Sequence, residues 1–391
     1  MAEDAHANAM REHIPVLSQS VYMNTGTAGP LPLPVSEAMI GSVRSVTSDV
    51  RIGGTYFMAN QERMARVRAR VAGLLGCNPK QVALTHNTTE GMNFITLGVN
   101  WARGDEAVTT NVEHPGALLP LWVAKERYGV TVKTADVAGR PDDMVGAVME
   151  KVTSRTKLIS ISHVSYATGD VLPVEEIAAE ARKLGVLVLA DGAQSFCAMP
   201  VDVEALGVDF YSVPGQKWLS GPEGTGALYS RQDSLSQIRT TFAGYGTIDS
   251  FNDYGGLLVK EDGRRFEQGT MQPASIAGQE AACSFFAEVV EANWAYEHIF
   301  ALAEQTIKGL SALPGVRVIT KEVSHAGLVT FQLEGIEPDQ AVAALDKRRI
   351  LVRSIRRPAA VRASLGFFNT DQEVQLLLDA VRQIVKADKE G

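Results

Sequence analysis

An α/β architecture built on a parallel sheet is what this 391-residue chain predicts, and three observations carry it. Apolar strand-like runs alternate with helical stretches from Val82 to Ser230, the order that makes crossover units. Val186-Leu187-Val188-Leu189-Ala190 is apolar without alternation, as a strand covered on both faces reads. Glycine, at 35 residues, is slightly above average, as many tight strand–helix turns require.

Composition bounds the rest. With 45% hydrophobic residues over this length the chain can bury two cores, one large and one small. A net charge of −8 argues against nucleic acid or an anionic membrane as partner. Cys77, Cys197 and Cys283 form no metal spacing, and an odd, sparse count fits a reducing compartment. No apolar run approaches the roughly 20 residues of a membrane span. The polar start lacks a signal-peptide core, so a cytoplasmic protein with a flexible first dozen residues is expected.

In chain order, Val21 to Pro32 is a Gly/Pro-rich opening segment leading to a helix. Asn60 is expected to cap a helix whose Met64, Val67, Val71 and Leu74 form a core stripe, stopped by Gly76. Strand Val82–Thr85 runs into His86-Asn87-Thr88-Thr89-Glu90-Gly91, a helix start. That turn offers an anion free N–H groups and two hydroxyls, or is an ordinary threonine cap. Ala107–Thr110 is the next strand, and His114 follows it at a place where histidine is usually structural. Strand Lys157–Ser160 has Ser162 to Gly169 as its exit loop. An amphipathic helix from Glu175 to Gly185 leads to the Val186 strand.

Asp191 ends that strand in the crevice where open α/β sheets hold ligands. Lys217 lies in a Gly-Gln-Lys-Trp turn between strands Val208–Ser212 and Thr225–Ser230. Taken singly, the acid is a turn residue and the lysine a solvated charge. Together at neighbouring strand ends they suit pyridoxal phosphate: a lysine to take its aldehyde, and an acid to keep its pyridine nitrogen protonated.

Further on, Phe242 to Arg264 has no periodicity and is expected to be a long functional loop. Helix from about Ser275 to Ala312, with Phe286, Val290 and Phe300 packed inside, leads to two strands in Gly315–Phe331, where Leu328 to Phe331 alternates. Lys347, Arg348, Arg349, Arg356 and Arg357 read as a solvated basic face, since no aromatic residue interleaves before Phe367. Arg353 and Arg362 stand apart because each follows an apolar pair. A last helix spans Asp371 to Lys386.

The segments D-G-A-Q-S from Asp191, G-x-K-W around Lys217, G-P-x-G-x-G from Gly221, R-F-E-x-G-T from Arg265 and R-x-S from Arg362 resemble the class V aminotransferases. These are fold-type I pyridoxal-phosphate enzymes that include cysteine desulfurases, isopenicillin N epimerase-like proteins, kynureninase and cysteine/cystine C–S lyases. The resemblance covers nearly the whole chain in order. It implies a large domain, residues 22–284, with a mostly parallel seven-stranded sheet. A small α+β domain would comprise residues 1–21 and 285–391. By resemblance, Thr88 and Thr89 hold the phosphate, His114 stacks on the pyridine ring and shuttles protons, Asp191 meets its nitrogen and Gln194 its phenolic oxygen. Lys217 binds covalently and Arg362 takes the substrate carboxylate, with Asn24 and Gly26 near the substrate. Thr270 would reach the partner's phosphate in a homodimer.

The chain departs from the family in three places. Tyr166 replaces a desulfurase asparagine and becomes a pocket wall. Pro214 and Gln216 stand where Ser/Thr and His commonly hold the phosphate; only Gln216 retains a hydrogen-bonding side chain. No cysteine follows Arg362, so a desulfurase that forms a persulfide on itself is disfavoured. The expectation is a lyase in which Lys217 removes the Cα proton and a β-substituent leaves, giving pyruvate, ammonia and a sulfur species. Arg353 and Arg362 together would hold both carboxylates of a cystine-like substrate. An epimerase using Tyr166 or His114 as second base, an aminotransferase, and a non-catalytic cofactor-binding partner remain as alternatives.

Overall fold

The computed structural model describes residues 2–322 and 325–390. Seven strands form its main sheet: β1 (Val82–Thr85), β2 (Glu106–Thr110), β3 (Thr131–Ala135), β4 (Thr156–Ser162), β5 (Leu187–Asp191), β6 (Phe210–Pro214) and β7 (Gly226–Ser230). Their order is β1-β7-β6-β5-β4-β2-β3. Only β7 runs against the rest, antiparallel to both β6 and β1. The physical reason is the short Gly215–Thr225 connection, which returns the chain without a crossover helix. Six strands therefore end at one edge, and the turns after β1, β2, β4, β5 and β6 all open there.

Register places polar residues side by side at that edge. Ser162 pairs with Asp191, and Asp191 with Ser212. Every residue of β5 is buried, as its unbroken apolar run requires. Strand β2 lies between β3 and β4, so the chain reverses its direction of growth between β2 and β4. That gap is where open α/β sheets form their crevice.

A second sheet of four strands, β8 (Val316–Val318), β9 (Leu328–Leu333), β10 (Arg353–Arg356) and β11 (Ala359–Ser364), has the order β8-β9-β11-β10 and is antiparallel throughout. It carries an apolar cluster that includes Phe331, Leu345, Val361 and Leu377, joined by Met23 from the opening segment. That segment pairs Val21 and Tyr22 with Ile350 and Leu351 and bridges Asn24 to Ser364. No helix among the described residues is long and apolar enough to cross a membrane.

Several local expectations change. The opening stretch expected to be flexible forms a helix, Ala2–Arg11, that buries Ala7 and Met10; Arg11 pairs with Glu373 at 2.9 Å. Ala7 and Met10 of the helix and Ile14 just beyond it are spaced by three and four, a buried stripe hidden in a polar stretch. Asn60 is inside the helix rather than at its cap. That helix runs Gly54–Leu75 and begins at Gly53, whose φ of 88° is left-handed, while Gly76 stops it as expected. Strand β6 lies two residues later than expected, and β4 extends through Ser162.

The 242–264 stretch contains a hairpin, Ile248–Phe251 with Leu257–Val259, turned at Gly255 with φ 88°. Its strands are too short and too exposed to print a buried face in the sequence. The helical 275–312 stretch is two helices, Pro273–Ser284 and Ala292–Ser311, separated by a π turn and by Glu291 at φ 64°. Phe286 and Val290 are buried, but Phe300 is 48% exposed and stacks on His325 at 4.4 Å. Leu328 to Phe331 does not alternate, because helices Ala292–Ser311 and Pro338–Asp346 both pack on β9 and bury every one of these residues.

Candidate active site

A cavity of about 200 Å³ opens at the shared strand edge, between the two sheets. Asp191 and Lys217 both line it. Asp191 is fixed because one carboxylate oxygen accepts the Ala193 N–H at 2.9 Å, which leaves the other for a ligand. Burial raises this carboxyl above its ordinary value, opposed by the Lys217 charge and that N–H. Lys217 is lowered to about 8, by burial first and then by Arg362 and Arg353, while Asp191 pulls the other way. An amine at that value is about one-tenth neutral at pH 7, far more than an ordinary lysine, and so can serve as a nucleophile or base.

The turn carrying Lys217 is pinned by the opening segment. Gly29 donates its N–H to the Gln216 carbonyl at 2.7 Å. A Cβ on Gly29 would lie 2.2 Å from the Lys217 carbonyl, so only glycine permits this approach.

Thr88 and Thr89 begin the helix Thr88–Gly98 directly after β1. Its cap is Asn87, whose side chain accepts the Glu90 N–H at 2.9 Å. The two threonine hydroxyls are thus released from capping, and Thr88 Oγ1 is buried without a partner beside the cavity. A buried unpaired hydroxyl at a helix N-terminus is suited to a phosphate. Ser212 Oγ bonds the Thr88 carbonyl at 2.9 Å and holds the turn in place. Gln216 also lines the cavity with its Oε1 unpartnered, while Pro214 supplies only wall.

His114 also lines the cavity, edge-on to Tyr166 with ring centres 5.0 Å apart. Its Nδ1 accepts the Gly116 N–H at 3.0 Å, so the proton sits on Nε2. Burial, Lys217, Arg353 and Arg362 lower it to about 4, which leaves a neutral ring at physiological pH. Such a ring stacks well and makes a weak acid.

Arg353 and Arg362 face each other across the β10–β11 ladder. Arg362 is 1% exposed and donates to the Tyr166 carbonyl at 3.0 Å and to Thr27 Oγ1 at 3.2 Å. Arg353 donates to the same Oγ1 at 3.1 Å. Thr27 in turn donates to Asn24 Oδ1 at 2.7 Å. Among the described residues no carboxylate lies within 4.0 Å of either guanidinium. Burial and the Arg353 charge push Arg362 down to about 9. Two unneutralised cations in one cavity call for an anionic ligand.

Gln194 is held at both ends, donating to the Gly26 carbonyl at 2.9 Å and accepting from Trp218 Nε1 at 3.0 Å. Gly26 lines the cavity, and a Cβ there would lie 2.8 Å from Ser364 Oγ and 3.2 Å from Arg362.

Eleven of the anticipated residues therefore converge, from Gly26 through Arg362. Asn24 does not line the cavity and acts through Thr27. Thr270 is exposed and outside it, bonded to the Tyr245 hydroxyl at 2.5 Å. Thr27, which orients both arginines, was not anticipated, nor was Trp218 as the anchor of Gln194. Only the position of Thr27 next to Gly26 signalled it.

The fold and this site define a cofactor-dependent α/β enzyme with a lysine and an aspartate at adjoining strand ends. The Aminotransferase class-V family profile matches residues 21–377, and the chain belongs to that family. A probable cysteine desulfurase of Methanothermobacter thermautotrophicus is 30% identical, over 96% of this chain and 97% of its own. The cystine C–S lyase C-DES, solved with its reaction product cysteine persulfide, is 30% identical with a TM-score of 0.90, over 94% of this chain and 99% of its own. A mutant of C-DES was also solved with glycine covalently linked to its PLP cofactor. The cysteine desulfurase of Thermococcus onnurineus is 28% identical with a TM-score of 0.86, over 97% and 98%.

Proposed function

We propose that this enzyme is a pyridoxal-phosphate-dependent lyase that removes a sulfur group from the β-carbon of a cystine-like amino acid. The residues fit that cofactor. The orphaned Thr88 hydroxyl and helix start suit its phosphate, the free Asp191 oxygen its pyridine nitrogen, and the Lys217 amine its aldehyde. When bound, the cofactor supplies an electron sink that acidifies the substrate Cα proton. Lys217 takes that proton, the Cβ–S bond breaks with its electron pair leaving on sulfur, and the three-carbon fragment hydrolyses to pyruvate and ammonia. Arg362 holds the α-carboxylate and Arg353 the distal one, while the neutral His114 ring covers the site.

The observation that carries this reading is the unneutralised arginine pair in a cavity that contains no thiol. Cys77, Cys197 and Cys283 lie outside it; burial pushes Cys77 and Cys283 up to about 12 and Cys197 well above its ordinary value. Sulfur then leaves on the substrate fragment rather than on the protein, as the persulfide product of C-DES does. With its value lowered to about 4, His114 is a weakly basic imidazole, which disfavours an epimerase that uses it as second base and leaves Tyr166 for that role. Pyruvate release from L-cystine and L-cysteine by the cofactor-loaded protein, coupled to lactate dehydrogenase, tests it. Release from cystine in preference to cysteine is expected; none from either would end the sulfur-lyase reading and leave the epimerase, the aminotransferase or a silent binder.

A homodimer and a division into residues 22–284 against 1–21 with 285–391 belong to the same proposal. The exposed Tyr254, Leu257 and Leu258 of the hairpin, beside exposed Tyr245 and Thr270, support an apolar face for a second copy. Thr270→Ala is expected to weaken cofactor retention about tenfold, the worth of one charge-assisted hydrogen bond. A monomer by sedimentation that retains full cofactor affinity would remove the shared site.

A further inference from the structure

The gap between β2 and β4 holds a buried carboxyl that the reaction does not use. The backbone ladder between these strands reaches only Val108 and Ile159. Beyond it the strands diverge to form the crevice, and the Glu113 side chain spans the opening. Thr110 Oγ1, at the end of β2, donates to Glu113 Oε1 at 2.6 Å. Ser162 Oγ, at the end of β4, donates to Oε2 at 2.5 Å. Glu113 is 5% exposed, and Ser162 is the residue registered beside Asp191. The next residue in the chain is His114.

We propose that Glu113 is a positioning residue for the His114 ring: it ties the turn that carries His114 to the strand end beside Asp191 and so sets the ring's height and tilt over the cofactor. Three features make the tie specific. Thr110 Oγ1 accepts the Val112 N–H at 3.3 Å, which commits its own proton to Glu113. Ser165 Oγ bonds the Val112 carbonyl at 3.4 Å, so the β4 exit loop grips the same turn a second time. His114 is itself braced by the Gly116 N–H, leaving the Glu113 joint to fix the whole turn relative to β4 and β5. Burial, with the Asp191 charge added and the hydroxyls opposed, brings the carboxyl up to about 7. The tie holds in either protonation state, since an ionised Glu113 accepts from both hydroxyls and a neutral one accepts from one and donates to the other. Because one misplaced ring above a reacting centre is costly, this joint governs rate more than binding.

The role rests on the cofactor reading given above, and the test separates the two. Wild-type, Glu113→Ala, Glu113→Gln and Ser162→Ala holoproteins are compared by visible circular dichroism of the bound cofactor and by kcat and KM with L-cystine. Glu113→Ala is expected to change the cofactor's dichroic amplitude about twofold and to lower kcat about 10- to 100-fold with KM within about threefold. Glu113→Gln, which keeps an acceptor and a donor in the gap, is expected to restore both to within about threefold. Ser162→Ala removes one arm and is expected to fall between, and it decides the matter if Glu113→Ala does not fold. A dichroic band and kcat equal to wild type in Glu113→Ala, or in Ser162→Ala should the former not fold, overturn the role even if the melting temperature drops. A wild-type protein that takes up no cofactor at all overturns the functional reading, and this role with it.

Discussion

The Lys217→Ala protein is expected to bind pyridoxal phosphate without a borohydride-reducible link and to lose at least about a thousandfold in elimination rate. In the proposed reaction the same amine is anchor and base, and among the described residues no other lysine lines the cavity. Wild-type capture of the cofactor should carry the signature of a depressed amine. Only the neutral form attacks the aldehyde. With Lys217 near 8, about a tenth of it is neutral at pH 7, against about one part in three thousand for an ordinary lysine. Capture by the apoprotein should therefore rise about tenfold from pH 7 to 9 and level off above that. Following the visible absorbance against pH gives the midpoint. A rate still climbing tenfold per unit beyond pH 9 would show an unperturbed lysine, and a reducible band surviving in Lys217→Ala would move the anchor elsewhere.

The second large effect concerns the arginines. Arg362→Ala should raise KM for amino-acid substrates roughly 30- to 1000-fold, the range for losing a buried bidentate charge-assisted contact of about 2–4 kcal/mol. Arg362→Lys should recover little of it, because an ammonium cannot span a carboxylate as a guanidinium does. Arg353→Ala separates substrates. If the distal carboxylate lies on Arg353, KM for cystine rises about tenfold or more while that for cysteine stays within about threefold. Equal rises for both would place both arginines on one carboxylate; no rise for either would leave Arg353 outside recognition.

The parts of this site legible in the sequence are those that local order determines. A buried strand must end somewhere, and an acid at its end faces the crevice, which made Asp191 readable. The short glycine-flanked connection after β6 set Lys217 at the neighbouring strand end, while the helix starting directly after β1 left Thr88 and Thr89 readable equally as caps or as an anion site until the resemblance pointed to a phosphate. The resemblance supplied the partners that lie far apart in the chain, Arg362 and His114 among them. What stayed hidden depends on neighbours distant in sequence. Thr27 looks like any loop threonine until two guanidiniums arrive more than 300 residues later. Glu113 looks like a solvated charge until Ser162, 49 residues on, closes over it. Elements without a buried face, such as the 248–259 hairpin, leave no periodicity to read.

The pairing of the opening segment with the far end of the chain has a consequence for biosynthesis. Thr27 meets Arg353 across 326 positions and Arg362 across 335, and Asn24 waits on Ser364 for its bridge. On a ribosome the seven-stranded sheet, complete at Ser230, emerges with Asp191 and Lys217 well before these partners exist. A nascent chain can thus assemble the Asp191–Lys217 side of its cavity first. The arginine side of the cavity, to which we assign the substrate carboxylates, closes last, only when the C-terminal strands dock back onto residues made at the very start.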